Sequence, residues 1–176
     1  MAARKPRPSG PRRGGPDSRA LWAPWRMEYI RSKRSGADPG CFLCLKPRER
    51  RDAENLILAR GRKCYVVMNL YPYNNGHLMV APYRHVPDLE GLTAAEGAEL
   101  IALTRRSLAA LRRWGRPQGF NVGFNIGRVA GAGETHLHQH IVPRWGGDTN
   151  YMPVLGETKV IVQHLRETYA QLRRLL

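Results

Sequence analysis

Apolar and polar positions alternate along the middle of the chain in runs that predict most of its regular structure. Asn55–Arg60 (NLILAR), Lys63–Leu70 (KCYVVMNL) and Gly76–Pro82 (GHLMVAP) are short apolar runs, set apart by Gly61 and by the turn signal Asn74-Asn75-Gly76. They predict three neighbouring strands. Thr93–Trp114 has the spacing of a helix. It opens with Thr93-x-x-Glu96, a capping-box pattern, and its last turn carries Arg112 and Arg113, cations favoured at the negative helix end. The string GRPQG at 115–119 then breaks the chain. Gly119–Gly127 alternates like a strand. A second late strand is predicted within Glu134–Trp145, where the β-branched Ile141 and Val142 follow three alternating histidines and Pro143 closes the run. Thr158–Leu176 predicts a C-terminal helix. Strands joined by short turns, a helix, further strands and a helix together predict an α+β fold. Its antiparallel sheet has about five strands, with one long central helix and a C-terminal helix.

Composition narrows the partners. The 176 residues predict one domain, and 29 Lys+Arg against 14 Asp+Glu give a formal charge of +15. That balance favours anions: nucleotides, nucleic acid or a membrane surface. Residues 1–20 hold six Lys/Arg and one acid among many Pro and Gly, so they predict a disordered basic tail. Solvation is its default state and weak nucleic-acid contact the minority reading. It has no apolar h-region of a secretory signal; it resembles a transit peptide in Arg content but lacks an amphipathic pattern. The folded part is expected over 21–176, with a core at about 41–145 and an extension over 146–176. The aromatic segment Leu21–Ile30 is expected to dock on the core or on a second subunit. No run of about 18 apolar residues occurs, so no membrane span is expected. Three cysteines argue against a disulfide scaffold and fit a reducing cytoplasm.

The candidate chemistry begins with ETHLHQHIVPRW, Glu134–Trp145. His136, His138 and His140 are half of the six histidines in the chain. On a strand they share one face, in a row roughly 13 Å long at about 3.3 Å per residue. Such a row can bind a metal, hold a phosphate or supply a nucleophile; the bland alternative is a surface strand with incidental histidines. The loop before it, GRVAGAGET, carries Gly131 and Gly133 beside Arg128 and matches neither common phosphate-loop fingerprint. Beside the histidines, phosphate binding is the better reading of it. His77 follows the NNG turn, and Asn69 ends its strand as a ribose ligand or a plain strand cap. Cys41 and Cys44 form C-x-x-C: a zinc half-site completed by His85 and His136, a redox pair, or two buried thiols. Cys64 is expected in the core.

H-x-H-x-H followed by two apolar residues resembles the signature of the histidine triad (HIT) family of nucleotide-binding hydrolases and transferases. Asn69, His77 in GHLMVAP, Asn125 and the triad stand in the family's order. The strings LWAPWRMEYI, YPYNNGHLMVAPYRHV, HLHQHIVPRW and GDTNYMPVLGETKV are similar to a narrower branch, the bacterial diadenosine tetraphosphate phosphorylases. The resemblance implies that His138 attacks an α-phosphorus and forms a nucleotidyl-imidazole. It implies that a carbonyl near His136 fixes the His138 tautomer, that His140 donates to a phosphate oxygen, and that Asn125 binds the same phosphate or the leaving group. Backbone N–H groups at Gly131–Gly133 then stabilise phosphate oxygens, Asn69 holds the ribose, and Leu70 and Val80 wall the base. A structural zinc on Cys41, Cys44, His85 and His136 is implied as well. A divalent cation such as Mg accompanying the nucleotide is left open. Two positions depart from the family pattern. Gln139 replaces an apolar residue, and Ala132-Gly133 replaces a Gln followed by Ser or Thr, which removes a hydroxyl near the phosphate.

The expected reaction is cleavage of a dinucleoside polyphosphate, with orthophosphate accepting AMP to give ATP and ADP. Its rivals are a hydrolase giving ATP and AMP, a nucleoside phosphoramidate hydrolase, and a zinc-stabilised nucleotide-binding module without activity. Arg128, Arg144 and Lys159 are candidates for drawing in the polyanion, with solvated surface charge the default reading of any one of them. The resemblance further implies a homodimer, extended by the aromatic segment to a homotetramer.

Overall fold

The computed structural model describes residues 40–148 and 164–176. The expected tail, the segment Leu21–Ile30, Lys159 and residues 158–163 of the expected C-terminal helix lie outside the described residues. Two short helices come first, α1 (Phe42–Arg48) and α2 (Asp52–Asn55). Strands β1 (Ile57–Arg60), β2 (Cys64–Met68) and β3 (Leu78–Pro82) follow, then the long helix α3 (Ala94–Gly115). Strands β4 (Gly119–Phe124) and β5 (Gln139–Arg144) are separated by a loop with one 3-10 turn, Arg128–Ala130, and α4 (Leu165–Arg173) comes last. The five strands form one sheet in the order β1-β2-β3-β5-β4. Every neighbouring pair is antiparallel. The α+β prediction, the sheet and both long helices are as expected; α1 and α2 were not foreseen.

Alternation decides which side chain goes to which side of the sheet. Val66, Met68, Leu78, Val80 and Ile141 meet Leu100, Leu103 and Leu111 of α3 and Leu172 of α4 in the larger core. Ile57, Tyr65, Val67, Met79 and Ala81 face the other way and pack with Leu43 of α1. The Tyr65 hydroxyl donates to the Leu43 carbonyl at 2.7 Å, which ties α1 to this second face. Helix α3 starts as the sequence predicts. The Thr93 side chain accepts from the Glu96 N–H, and the Glu96 carboxylate accepts from the Thr93 N–H, a complete capping box. Glu99 then clamps the β1–β2 turn, accepting from the N–H groups of Arg62 and Cys64 at 2.8 and 2.6 Å.

Several boundaries differ from expectation. Strand β1 begins only at Ile57, because Asn55 ends α2 and Leu56 takes a left-handed φ of 59°. Strand β4 stops at Phe124, and the chain turns away at Gly127, whose φ is +81°. Pro143 does not close β5 but lies within it, opposite Phe120 of β4. It is tolerated because β3 pairs with β5 only from Gln139 to Ile141, so no ladder bond from that side is needed at position 143. His136 and His138 precede the β5 ladder instead of lying in it.

Candidate active site

Five of the six histidines fall into two linked groups on the α1 side of the sheet, and His164 caps α4 instead. His140, the second residue of β5, stands opposite Met79, while His136 and His138 sit in the approach to the strand. Gln139 points to the opposite side, where the Thr104 hydroxyl of α3 donates to its side-chain oxygen. An apolar residue at 139 would rest against α3; the glutamine instead pins β5 to that helix by a polar contact.

His138 is buried, and its Nδ1–H donates to the His136 carbonyl at 2.7 Å. That bond fixes the tautomer, so Nε2 carries the lone pair. Burial draws the His138 pKa below the ordinary histidine value, against the raising effect of this hydrogen bond. The neutral, nucleophilic form is therefore favoured.

A second relay sets His140. The backbone N–H of Tyr73 donates to His77 Nδ1 at 3.0 Å. His77 Nδ1 is thus an acceptor and its Nε2 must carry the proton, which it donates to His140 Nδ1 at 3.0 Å. In the neutral ring this leaves His140 Nε2–H as a donor. The rings of His138 and His140 stand edge to face, 4.7 Å between centroids. His77 is fully buried and reaches this position through the turn at Gly76, whose φ is +71°. A Cβ at Gly76 would come within 2.8 Å of the Trp114 ring, so the turn requires glycine twice over.

Around His138 and His140 lies a cavity of about 230 Å³. Phe42, Leu70 and Met79 give it an apolar wall, Asn69, Tyr71 and Tyr73 a polar one, and Gly131, Gly133 and Glu134 its glycine-loop edge; Lys46 and Met68, the last residue of β2, complete the lining. Of the residues singled out in the sequence, the fold thus gathers Asn69, Gly131, Gly133, His138 and His140 at one cavity. His77 stands behind His140. Asn125 lies beside the loop without lining the cavity, its Nδ2 3.9 Å from where a Cβ of Gly131 would be. Arg128, in the 3-10 turn, is exposed and does not line the cavity. Arg144 is held by Asp148 at 2.7 Å. Val80, expected to wall the base, belongs to the larger core on the opposite side of the sheet; Met79, its neighbour in sequence, takes that place. Sequence reasoning missed Phe42, Lys46 and Tyr73. The first two lie four residues apart, the spacing of one helix face, but α1 is too short for a period to stand out.

The ring of His136 turns away from the cavity. Its Nε2–H donates to the Pro82 carbonyl at 2.9 Å, so the Nδ1 lone pair faces Cys41 and Cys44, each Sγ 3.3 Å away. Cys44 Sγ is also 3.4 Å from His85 Nδ1. All four ligand atoms lie within 4.8 Å of one another, a cluster that can hold a metal ion. Two thiols and two imidazoles at these separations suit a tetrahedral centre with bonds of about 2.0–2.3 Å. Burial lowers the His136 pKa to about 4, so the ring is neutral, as a ligand must be. Burial likewise pushes the Cys41 thiol up to about 11, a cost that a bound cation offsets by favouring the thiolate. Through its carbonyl, His136 joins this cluster to His138.

Comparison with known proteins agrees with this geometry. The HIT domain family model matches residues 50–147. The chain belongs to the HIT domain family. It is 48% identical over 163 residues to the AP-4-A phosphorylase of Mycobacterium tuberculosis (strain ATCC 25618 / H37Rv), covering 89% of this chain and 81% of that protein. The asymmetrical bis(5'-nucleosyl)-tetraphosphatase of Schizosaccharomyces pombe is 35% identical over 92 residues, 52% of this chain and 50% of that one. Among solved structures, a Zn-bound histidine triad family protein from Mycobacterium smegmatis has the same fold, with a TM-score of 0.61 at 23% identity over 76% of this chain and 90% of that one. Among the described residues, no helix is long and apolar enough to cross a membrane.

Proposed function

We propose that the protein is a nucleotidyl-transferring enzyme that cleaves dinucleoside polyphosphates such as diadenosine tetraphosphate, with orthophosphate as the acceptor. The observation that carries the reading is the 2.7 Å bond from His138 Nδ1–H to the His136 carbonyl, which leaves Nε2 as the nucleophilic nitrogen beside the cavity. The 48% identity to the mycobacterial phosphorylase supports phosphate over water. His138 Nε2 attacks the α-phosphorus; a P–N bond forms, the P–O bond to the leaving ATP breaks, and AMP remains on the imidazole. His140 donates from Nε2–H to a phosphate oxygen, and Asn125 and the N–H groups near Gly131 and Gly133 hold the other oxygens as charge develops on them. An orthophosphate oxygen then attacks the same phosphorus, the P–N bond breaks, and ADP leaves with the His138 lone pair restored. Asn69 holds the ribose, and Arg128 steers the polyanion from outside the cavity.

The Cys41, Cys44, His85 and His136 cluster takes zinc in this account, as a structural ion that holds α1 against the histidine segment. The working unit is a homodimer or homotetramer, and three unpaired cysteines suit the cytoplasm. The test is incubation of the protein with diadenosine tetraphosphate, with and without orthophosphate, followed by separation of the nucleotides. ATP plus ADP appearing only with phosphate is the expected result. ATP plus AMP regardless of phosphate overturns the acceptor, and no turnover overturns the reaction.

A further inference from the structure

Lys46 is the one cationic side chain lining the cavity among the described residues. It stands four residues after Phe42 on α1, on the same face, with Nζ 5.4 Å from the Phe42 ring centroid. Its ammonium forms no ion pair among the described residues. The acid one turn on, Glu49, accepts from Arg51 at 3.0 Å and from Asn55 at 2.9 Å through one carboxylate oxygen, and acts on Lys46 through space without a direct contact. The side chain is half-buried, and burial draws its pKa below the ordinary lysine value, with Glu49 opposing. A partly desolvated ammonium with no direct anionic contact among the described residues is stabilised when a ligand supplies an acceptor.

The cavity tells which part of a ligand that acceptor belongs to. Its polar edge, with His138, His140 and the glycine loop, suits phosphate. Its apolar wall of Phe42, Leu70 and Met79 suits a flat base. Lys46 shares its helix face with Phe42, and so belongs to the apolar wall. We infer that Lys46 is a specificity-determining residue that donates a hydrogen bond to a ring-nitrogen or carbonyl acceptor on the edge of a nucleobase lying against Phe42. This rests on the nucleotide reading above and deepens it. An ammonium has three donors and no acceptor, so it favours the edge of a base that presents acceptors and opposes one that presents N–H groups at the same point.

The test compares the binding of AMP and of ribose 5-phosphate, which keeps the sugar and phosphate but lacks the base, to the full chain and to Lys46→Met and Lys46→Arg. Methionine keeps the apolar stem and removes the charge. The expected result is about tenfold weaker AMP binding in Lys46→Met, partial recovery in Lys46→Arg, and ribose 5-phosphate binding unchanged within about twofold, the size of a charge-assisted hydrogen bond discounted for exposure. Equal weakening of both ligands would assign Lys46 to the phosphate and overturn the inference. So would unchanged AMP binding. Wild-type protein that binds neither ligand would instead overturn the nucleotide reading on which the inference rests. Thermal melting of both variants checks that the fold is intact.

Discussion

Replacement of His77 by phenylalanine isolates the relay that sets His140. The ring volume is kept in a fully buried site, but three contacts to the ring nitrogens are lost, the longest of them a 3.4 Å contact from Asn69 Nδ2 to Nδ1. The Tyr73 N–H loses the acceptor it has at 3.0 Å, and His140 Nδ1 loses the donor at 3.0 Å. The first loss costs about 1–3 kcal/mol of stability. The second removes what holds the His140 proton on Nε2. If that proton is the donor to a phosphate oxygen in the transition state, its loss lowers kcat by about 10²–10³. That is about 3–4 kcal/mol at 1.36 kcal/mol per decade. The assay is steady-state phosphorolysis of diadenosine tetraphosphate by His77→Phe, His140→Ala and the double variant. Two residues acting through one proton are not additive, so the double variant should be little slower than either single one. His77→Gln, whose terminal amide can replace the Nε2–H donor, should recover part of the rate. A His77→Phe protein that melts lower but keeps kcat within about threefold would refute the relay and reduce His77 to packing.

Other consequences are checked separately. The Arg84 guanidinium and the Thr93 N–H hold the Glu96 carboxyl at about 2, below its ordinary 4.5. A carboxylate depressed on folding stabilises above the unfolded value, and that contribution is lost as pH falls from about 4.5 through 2. Glu96→Gln should therefore be less stable than wild type at pH 7, by up to about 1 kcal/mol for a pair whose arginine is half exposed. The gap should close towards pH 2; a constant gap across that range in denaturant titrations counts against the ion pair. For the Cys/His cluster, elemental analysis should find zinc equimolar with the chain. Chelation should lower the melting temperature and slow turnover together, because His136 serves both centres. Metal-free protein with full activity would separate the two.

The parts of the fold that were legible in the sequence are those fixed by local pattern. The capping box at Thr93 and Glu96, the alternation of β2 and β3 and the NNG turn each signal themselves within a few residues. So did part of the site's chemistry, because alternation set His138 and His140 on one side and Gln139 on the other, although His138 precedes the strand and the His136 ring turns away from the cavity. Long-range contacts were not legible. Nothing near Glu99 announces that it will clamp the turn at Arg62–Cys64, and nothing near Gln139 announces Thr104. Helix α1 was hidden by its seven-residue length and by Pro47 within it, and with it Phe42 and Lys46 went unseen. The assignment of Val80 to the base wall failed by one residue, which in a strand is the whole difference between two faces.

The central claim is that His138 carries the nucleotidyl group. The most direct measurement is rapid mixing of the protein with diadenosine tetraphosphate in the absence of orthophosphate, an alkaline quench, and peptide mass analysis. The account predicts one AMP residue on the peptide that contains His138, lost when orthophosphate is added before the quench and absent from His138→Ala. Turnover to ATP and ADP with no adduct at any time, or an adduct on another residue, would contradict it.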